Sequence, residues 1–250
     1  MRMFTTPNAV WRRCMVGAVL LLTLAGCGPA ASSDDPSTAA TAPTSEAPAT
    51  SSAAGSYARR AAAQLEVEAL PGADGGRFAG RELDLPLVTP DFVLTDTDGK
   101  PFDFQQHATR PVTLLYFGYA GCPDVCPTHM AAVSKALSEL PDGQAEQVQV
   151  LFVSVDSVND TPDTLGSYLD NFDEDFVGLT GTADEVNRAL SSVGLPQTAI
   201  SSAAEFPPRH PSDVLAYTSD GRAHVVYPFG TAPSAYAGDI PQLISADWGA

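Results

Sequence analysis

Two cysteines at the junction of a strand and a helix constrain the fold of this chain more than any other feature. Cys122 and Cys126 follow the apolar segment 112–117, which predicts a buried strand, and precede the helical pattern 128–140. A tight turn that brings two sulfurs to the N-terminus of a helix suits either binding of a soft metal ion or disulfide chemistry. Dithiols built for fast redox cycling are usually spaced Cys-x-x-Cys, whereas three residues separate Cys122 from Cys126.

The first residues of the chain predict an export signal that ends in a lipid-attachment site. An apolar run, 15–24, follows three arginines and is too short to span a bilayer comfortably. The sequence Leu24-Ala25-Gly26-Cys27 resembles the bacterial lipobox, whose cysteine becomes the lipidated first residue of the mature protein. This resemblance implies a signal peptide over 1–26, lipidation of Cys27 and a lipid-anchored protein on the extracytoplasmic face of the bacterial cell membrane. The alternatives are an uncleaved membrane anchor and an ordinary signal with a chance cysteine.

The two cysteines of the loop are then the only thiols of the mature protein, on the oxidising side of a membrane. The chain has four cysteines, of which Cys14 leaves with the signal and Cys27 carries the lipid. A structural disulfide between Cys122 and Cys126 would close a short loop, which restrains the unfolded chain little. The pair is therefore better explained by chemistry than by stability.

Composition divides the exported chain into a tether and one folded domain. Residues 28–56 are almost wholly Ala, Ser, Thr, Pro, Gly and Asp, which cannot bury a core, and 57–70 predicts at best a marginal helix. We therefore expect a flexible tether over 27–80 and a single domain over 81–250. Loss of residues 1–26 takes the formal net charge from −17 to −20, and so acidic a surface disfavours nucleic acid and anionic lipid as partners. We expect a monomer that meets the membrane through its lipid.

Within the domain, strand and helix patterns alternate as in an α/β protein. Strands are predicted at 91–95, 100–104, 112–117, 148–155, 176–179, 213–218 and 223–227, and helices at 128–140, 162–171, 182–193 and 233–244. Asp98-Gly99 predicts a turn between the first two strands, which makes an N-terminal β-hairpin. The order β-β-β-α-β-α-β-α-β-β-α, with sulfurs at the start of the first helix, predicts a thioredoxin-like fold with a central mixed β-sheet flanked by helices.

The cysteine loop also carries a family resemblance. The run from Phe117 to Pro127, Phe-Gly-Tyr-Ala-Gly-Cys-Pro-Asp-Val-Cys-Pro, is similar to the cysteine loop of the Sco/SenC family of copper chaperones. The segments 91–99, 152–162 and 178–181 resemble further strands and turns of that family. The family has a distal histidine shortly before a segment similar to 215–221, Leu-Ala-Tyr-Thr-Ser-Asp-Gly. His210 stands before this segment at the same separation.

The resemblance implies a membrane-anchored metallochaperone that binds one copper ion, as Cu(I) or Cu(II), through Cys122, Cys126 and His210. It further implies delivery of the copper to the CuA centre of cytochrome c oxidase, with subunit II of the oxidase as the partner. Two thiolates and one imidazole are a soft donor set that suits copper, and the N-terminus of a helix favours the thiolate form. Arg209 and Pro211 depart from the family pattern around His210, which bears on the affinity of the site more than on its identity.

His129 is the rival third ligand. It follows Cys126 by three residues on the same helical stripe. Its position is not a ligand position in the family pattern, so we otherwise expect it at the surface. His107 and His224 are expected to be exposed or to support the structure. Asp156 and Asp160 are expected to support the structure or at most to contact a ligand.

Two other functions stay open. An extracytoplasmic thiol–disulfide reductase would use Cys122 as the attacking thiolate and Cys126 as the resolving thiol, and would act on the cysteines of the oxidase subunit. Peroxide reduction or redox sensing is less well supported, because the sequence shows no peroxidatic threonine–cysteine arrangement. His210 discriminates between the first two functions, since a reductase does not need this imidazole whereas a tight copper site does.

Overall fold

The computed structural model describes residues 76–248. The expected signal peptide at 1–26, the lipidated Cys27, the marginal helix at 57–70 and most of the tether therefore lie outside the described residues. Among the residues that are described, no helix is both long and apolar enough to cross a membrane.

Eight strands and five helices make up the described part of the chain. The strands are β1 (Arg81–Leu87), β2 (Val93–Asp96), β3 (Pro101–Asp103), β4 (Val112–Gly118), β5 (Val148–Ser154), β6 (Val177–Thr180), β7 (Val214–Thr218) and β8 (Ala223–Tyr227). The helices are α1 (Phe104–His107), α2 (Val125–Ser138), α3 (Pro162–Leu169), α4 (Ala183–Ser192) and α5 (Pro233–Ser245), with 3-10 turns at Ala145–Gln147 and Ala203–Glu205. Every helix and strand that the sequence predicts within 81–250 is present, with ends that differ by at most three residues.

The strands form one mixed sheet in the order β1-β8-β7-β4-β5-β6-β2-β3. The central strands β4, β5 and β6 run parallel, and every residue of β4 is buried, as expected for a parallel strand covered on both faces. The predicted hairpin is β2 paired with β3, and Gly99 takes a positive φ of 77° in its turn. Helix α2 packs against α5, and α3 packs against β6, so the predicted mixed sheet flanked by helices is confirmed.

The sequence analysis missed two elements, β1 and the short helix α1. Strand β1 pairs with β8 at the outer edge of the sheet, and its register is irregular between Glu82 and Leu87. Only alternate positions of an edge strand are buried, and Pro86 interrupts the pattern, so the apolar signal for this strand is weak. Helix α1 is four residues long, too short to show a helical period.

Core contacts begin a few residues before the domain start expected at Arg81. Phe78 is buried and stacks on Trp248 with 6.0 Å between ring centroids. The buried carboxylate of Asp239 in α5 accepts hydrogen bonds from the backbone N–H groups of Ala79 and Gly80, at 2.9 Å and 2.8 Å. These contacts fasten the beginning of the domain to its last helix.

Helix α2 begins at Val125, three residues earlier than the apolar pattern predicts, and this start places Cys126 in its first turn. The backbone N–H of Thr128 donates to the carbonyl of Asp124 at 3.2 Å, which closes that turn. Pro127 also lies in the first turn, where a missing N–H leaves no intrahelical hydrogen bond unmade. The fold therefore presents one sulfur from the helix itself and the other from the turn that leads into it.

Gly118, the last residue of β4, allows Cys126 to approach the sheet. A Cβ atom built on Gly118 would lie 2.7 Å from the sulfur of Cys126, 2.7 Å from the ring of Tyr116 and 2.9 Å from the ring of Phe152. All three neighbours are fully buried, so none can move away without disturbing the core. Any larger residue at position 118 must displace the sulfur or the rings.

We expect Gly118→Ala to lower the free energy of unfolding by about 1–3 kcal/mol, because overpacking a well-packed core costs that much. The matched control is Gly238→Ala in α5, where an added Cβ meets nothing within 4 Å. This control is expected to raise the free energy of unfolding by up to about 1 kcal/mol through helix propensity. Urea unfolding of the two variants measures both effects, and equal effects would contradict this account of position 118.

Candidate metal centre

Three soft donor atoms converge beside the sheet. The Nε2 atom of His210 lies 3.7 Å from the sulfur of Cys122 and 3.7 Å from the sulfur of Cys126. All three donor atoms lie within 4.8 Å of one another, and among residues 76–248 this is the one group of three or more histidine, cysteine or acidic side chains with metal-binding geometry. The structure therefore brings together the three residues that the sequence singled out.

The cysteine loop is held in place by hydrogen bonds to its backbone. The N–H of Cys122 donates to the carbonyl of Tyr119 at 3.2 Å, which forms a turn after β4. The N–H of Ala120 donates to the buried carboxylate of Asp160 at 2.8 Å, which also accepts from the hydroxyl of Ser154 at 2.6 Å. Asp160 thus anchors the loop to the end of β5, which agrees with the structural role expected for it.

His210 reaches the sulfurs from an irregular segment between the 3-10 turn Ala203–Glu205 and β7. Its ring is partly buried and lies edge-on to the rings of Tyr116 and Tyr119, at centroid distances of 6.1 Å and 5.4 Å. Its Nδ1 lies 2.8 Å from the carbonyl oxygen of Pro211. Because a carbonyl oxygen only accepts, Nδ1 carries the proton and Nε2 presents its lone pair to the two sulfurs.

The spacing of the donors fits one ion. With metal–sulfur bonds of roughly 2.3 Å and metal–imidazole bonds of roughly 2.0 Å, a nitrogen–sulfur distance of 3.7 Å corresponds to an angle of about 120° at the metal. The imidazole nitrogen and each sulfur can therefore bond to one shared ion. Thiolate donors select soft ions such as Cu(I) and Zn²⁺, and a three-donor site leaves a position at which an incoming ligand can attack.

The two thiols differ in acidity because their surroundings differ. Burial works to raise the pKa of Cys122, but the backbone N–H groups of Cys126, Asp124 and Val125 donate to its sulfur and bring the pKa below its ordinary value. Cys126 is fully buried, and this burial raises its pKa to about 12 although the hydroxyl of Tyr116 donates to its sulfur at 3.5 Å. In the metal-free protein Cys122 therefore loses its proton at a lower pH than Cys126.

His129 does not lie at the surface, and that expectation is wrong. It is buried, with 2% of its surface exposed, because α2 turns this face toward α5 and the loop after β8. Its Nε2 lies 2.7 Å from the carbonyl oxygen of Ser212, so this nitrogen is bound to backbone and does not face the sulfurs. Burial lowers the pKa of His129 to about 4, and the ring is neutral.

The remaining candidates take the supporting roles expected of them. Asp156 accepts from the backbone N–H groups of Val158 and Asn159 and holds the turn after β5. His224 pairs with Asp220 at 2.9 Å and stacks on Trp248. His107 is exposed, as is Arg209 beside the site.

Sequence reasoning missed the aromatic wall behind the donors. Tyr116 donates to the sulfur of Cys126 and flanks both His210 and His129. In the sequence Tyr116 is one more apolar position of a buried strand, and nothing marks its hydroxyl as part of a site. Tyr119 lies in the cysteine loop itself, where its motif position is the only signal.

The chain is similar to proteins of one known family. A family model described as SCO1/SenC matches residues 81–245. The mitochondrial protein SCO2 of Saccharomyces cerevisiae is 39% identical over 132 residues, which cover 53% of this chain and 42% of the yeast protein. The chain therefore spans less than half the length of that relative.

Two solved structures share the fold. A solution structure of apo Sco1 from Thermus thermophilus has 32% sequence identity and a TM-score of 0.57, and the match covers 69% of this chain and 99% of that one. A structure of Bradyrhizobium japonicum ScoI with copper bound has 29% identity and a TM-score of 0.54, and the match covers 62% of this chain and 99% of that one. The predicted thioredoxin-like fold is confirmed.

The different thiol environments give a pH dependence that alkylation can measure. Only the thiolate attacks iodoacetamide, so the lowered pKa of Cys122 moves its reactivity to lower pH and the raised pKa of Cys126 moves its reactivity to higher pH. We expect the reduced, metal-free protein to be modified at Cys122 first at every pH between about 6 and 10. Peptide mass spectrometry after timed labelling locates the modified residue, with the two single Cys→Ser variants as controls. Faster labelling of Cys126 would contradict this assignment.

Proposed function

The chain belongs to the SCO1/SenC family, and we propose that it is a metallochaperone that holds one copper ion between Cys122, Cys126 and His210. The observation that carries this proposal is the position of the unprotonated Nε2 of His210, 3.7 Å from each of the two sulfurs. Three donors that converge in this way can hold one ion between them.

Copper suits this donor set better than zinc. Structural zinc sites are almost always closed by four protein ligands, whereas three converge in the described part of this chain. Thiolates favour Cu(I), and an imidazole can also support Cu(II). A copper-bound structure is known for the Bradyrhizobium relative, whose fold this chain shares.

The site also suits release of the ion. Cys122 and His210 lie at the outer side of the donor set, since Cys122 retains 8% exposure and His210 is partly buried, while Cys126 is completely covered. An acceptor can therefore replace the two outer ligands one at a time while Cys126 keeps the ion bound. Such stepwise ligand exchange is what a copper donor needs.

We propose that the acceptor is the CuA centre of cytochrome c oxidase subunit II, which the family resemblance implies. We further propose that residues 1–26 are removed on export, that Cys27 is lipidated and that the acidic, Ala/Ser/Thr/Pro-rich segment tethers the domain to the extracytoplasmic face of the membrane. The support is the sequence Leu24-Ala25-Gly26-Cys27 and the composition after it. A tethered donor searches a small volume, which raises its effective concentration near a membrane-bound acceptor.

A thiol–disulfide reductase is the second candidate function, and the unequal thiols favour it. The Cys122 thiolate would attack an acceptor disulfide, forming a mixed disulfide and releasing one acceptor thiol. Cys126 would then lose its proton and displace the second acceptor thiol, which leaves a Cys122–Cys126 disulfide and a reduced acceptor. Each turnover oxidises this protein by two electrons, so an external thiol reductant must restore it.

The His210→Ala variant separates the two functions. We expect the reduced parent protein to bind one equivalent of Cu(I), and the variant to bind it more than about a hundredfold more weakly. Loss of a group that only orients a metal ligand already costs about 10–100-fold in metal affinity, and loss of the ligand itself should cost more. His107→Ala is the matched control, since His107 is exposed and lies outside the donor group. Competition with a chromogenic Cu(I) chelator measures all three affinities.

The same three proteins are then tested for reduction of a CuA-domain disulfide. Unchanged copper affinity in His210→Ala would overturn the copper site proposed here. If this variant also lost reductase activity, the imidazole would serve thiol chemistry and the reductase would become the leading function.

A further inference from the structure

His129 packs on Tyr116, the ring that also contacts Cys126 and His210. It lies one turn after Cys126 on α2, it is 2% exposed, and its Nε2 is 2.7 Å from the carbonyl oxygen of Ser212. Ser212 follows His210 by two residues. One rigid helix therefore carries both a sulfur donor and the side chain that holds the segment of the imidazole donor.

The hydrogen bonds of His129 define its tautomer. The carbonyl of Ser212 only accepts, so Nε2 of His129 carries the proton. Nδ1 is then an acceptor, and the hydroxyl of Tyr236 in α5 lies 3.4 Å from it and donates. Both nitrogens of the buried ring have partners, which a buried imidazole requires.

Aromatic neighbours fix the plane of the His129 ring. Tyr116 packs on one side with 5.2 Å between ring centroids, and Phe229 meets it edge-on at 5.7 Å. Tyr116 also contacts His210 and the sulfur of Cys126. The ring therefore cannot turn away from Ser212 without displacing side chains that touch the donors themselves.

The segment that carries His210 has ring contacts to the aromatic wall but few backbone hydrogen bonds. It has no regular secondary structure between Phe206 and β7, and among the described residues the bond from His129 is the one that joins its backbone to helix α2. The hydrogen bond from Nδ1 of His210 to Pro211 lies within the segment and cannot anchor it to α2. The distance between Nε2 of His210 and the sulfurs thus depends in part on the hydrogen bond to the carbonyl of Ser212.

We propose that His129, oriented by Tyr236, is a positioning residue that sets the distance of His210 from the two sulfurs. This inference rests on the proposed copper site and adds a residue that is not a ligand. Without the Nε2–H donor, the carbonyl of Ser212 loses its partner and the segment moves away from the cysteines, so the metal-free site is no longer preformed. Groups that orient a metal ligand from behind typically contribute about 10–100-fold in metal affinity.

Two substitutions at position 129 test the donor itself. His129→Leu fills the space without a donor, and we expect it to bind Cu(I) about 10–100-fold more weakly than the parent. His129→Gln places an amide N–H near the position of Nε2 and a carbonyl oxygen toward Tyr236, and we expect it to restore most of the affinity. We also expect the thiolate-to-copper charge-transfer band of the Cu(II) form to shift in the leucine variant and to return in the glutamine variant.

Two further variants separate positioning from stability. Val186→Ala removes methyl groups from a fully buried position of α4, a helix that packs near β2, so it should lower stability and leave copper affinity unchanged. Tyr236→Phe keeps the ring, removes the donor to Nδ1 and should weaken copper binding in the same direction as His129→Leu but less. Tyr236→Phe also serves as the test if His129→Leu fails to fold.

The metal-free proteins provide a second readout through the NMR signals of His210. These signals should shift in His129→Leu and Tyr236→Phe, and should stay close to the parent in His129→Gln and Val186→Ala. Parent-like copper affinity and His210 signals in both His129→Leu and Tyr236→Phe would overturn the inference. So would a glutamine variant as weak as the leucine variant, or an equal loss in Val186→Ala. If the parent itself bound no copper, the proposed function would fail, while the His210 signals would still decide whether His129 positions that ring.

Discussion

The hydrogen bond from Nδ1 of His210 to the carbonyl of Pro211 decides which nitrogen faces the sulfurs. With the proton held on Nδ1, the lone pair of Nε2 points at both sulfur atoms, 3.7 Å away. The opposite tautomer would place an N–H there and turn the site into a hydrogen-bonding group instead of a metal site. The departure at position 211 is compatible with this role, because a proline lacks an N–H but keeps the carbonyl that the ring needs.

The two cysteines have different roles in the site because they are buried to different extents. Cys126 is buried between the sheet and the ring of Tyr116. Its sulfur packs closely on Gly118, and these contacts hold it in one position. Cys122 lies in the turn before α2, where backbone N–H groups at the start of the helix stabilise its thiolate. A fixed inner donor and a more acidic outer donor suit both capture of a soft cation and its transfer to another protein. The same difference between the two cysteines would also serve thiol–disulfide exchange. The imidazole of His210 is therefore the feature that favours copper binding.

Local sequence signals predicted most of the fold. The parallel strands β4 and β5 are near-continuous apolar runs, and the N-capped helices α3 and α4 begin where Thr161 and Thr182 predict. The edge strand β1 escaped detection because half of its residues face away from the core. Helix α5 forms through Gly238 and Pro241 because Tyr236, Ile240 and Leu243 bury one face of it, and tertiary packing of this kind outweighs intrinsic propensity.

The sequence identified the three donor residues but not the residues that hold them in place. Cys122 and Cys126 stand in a recognisable loop, and His210 was found through the family pattern. The burial of His129 could not be read from the sequence, because its partners Ser212, Phe229 and Tyr236 lie 83 to 107 residues further along the chain. An isolated histidine on a helix gives no sign of which elements will pack over it.

X-ray absorption spectroscopy of the Cu(I)-loaded protein tests the central claim most directly, since it counts the atoms bound to the metal. We expect two sulfur neighbours and one imidazole nitrogen neighbour for each copper ion, and loss of the nitrogen in His210→Ala. A spectrum of the parent protein with sulfur neighbours alone, or one unchanged by the His210→Ala substitution, would contradict the account.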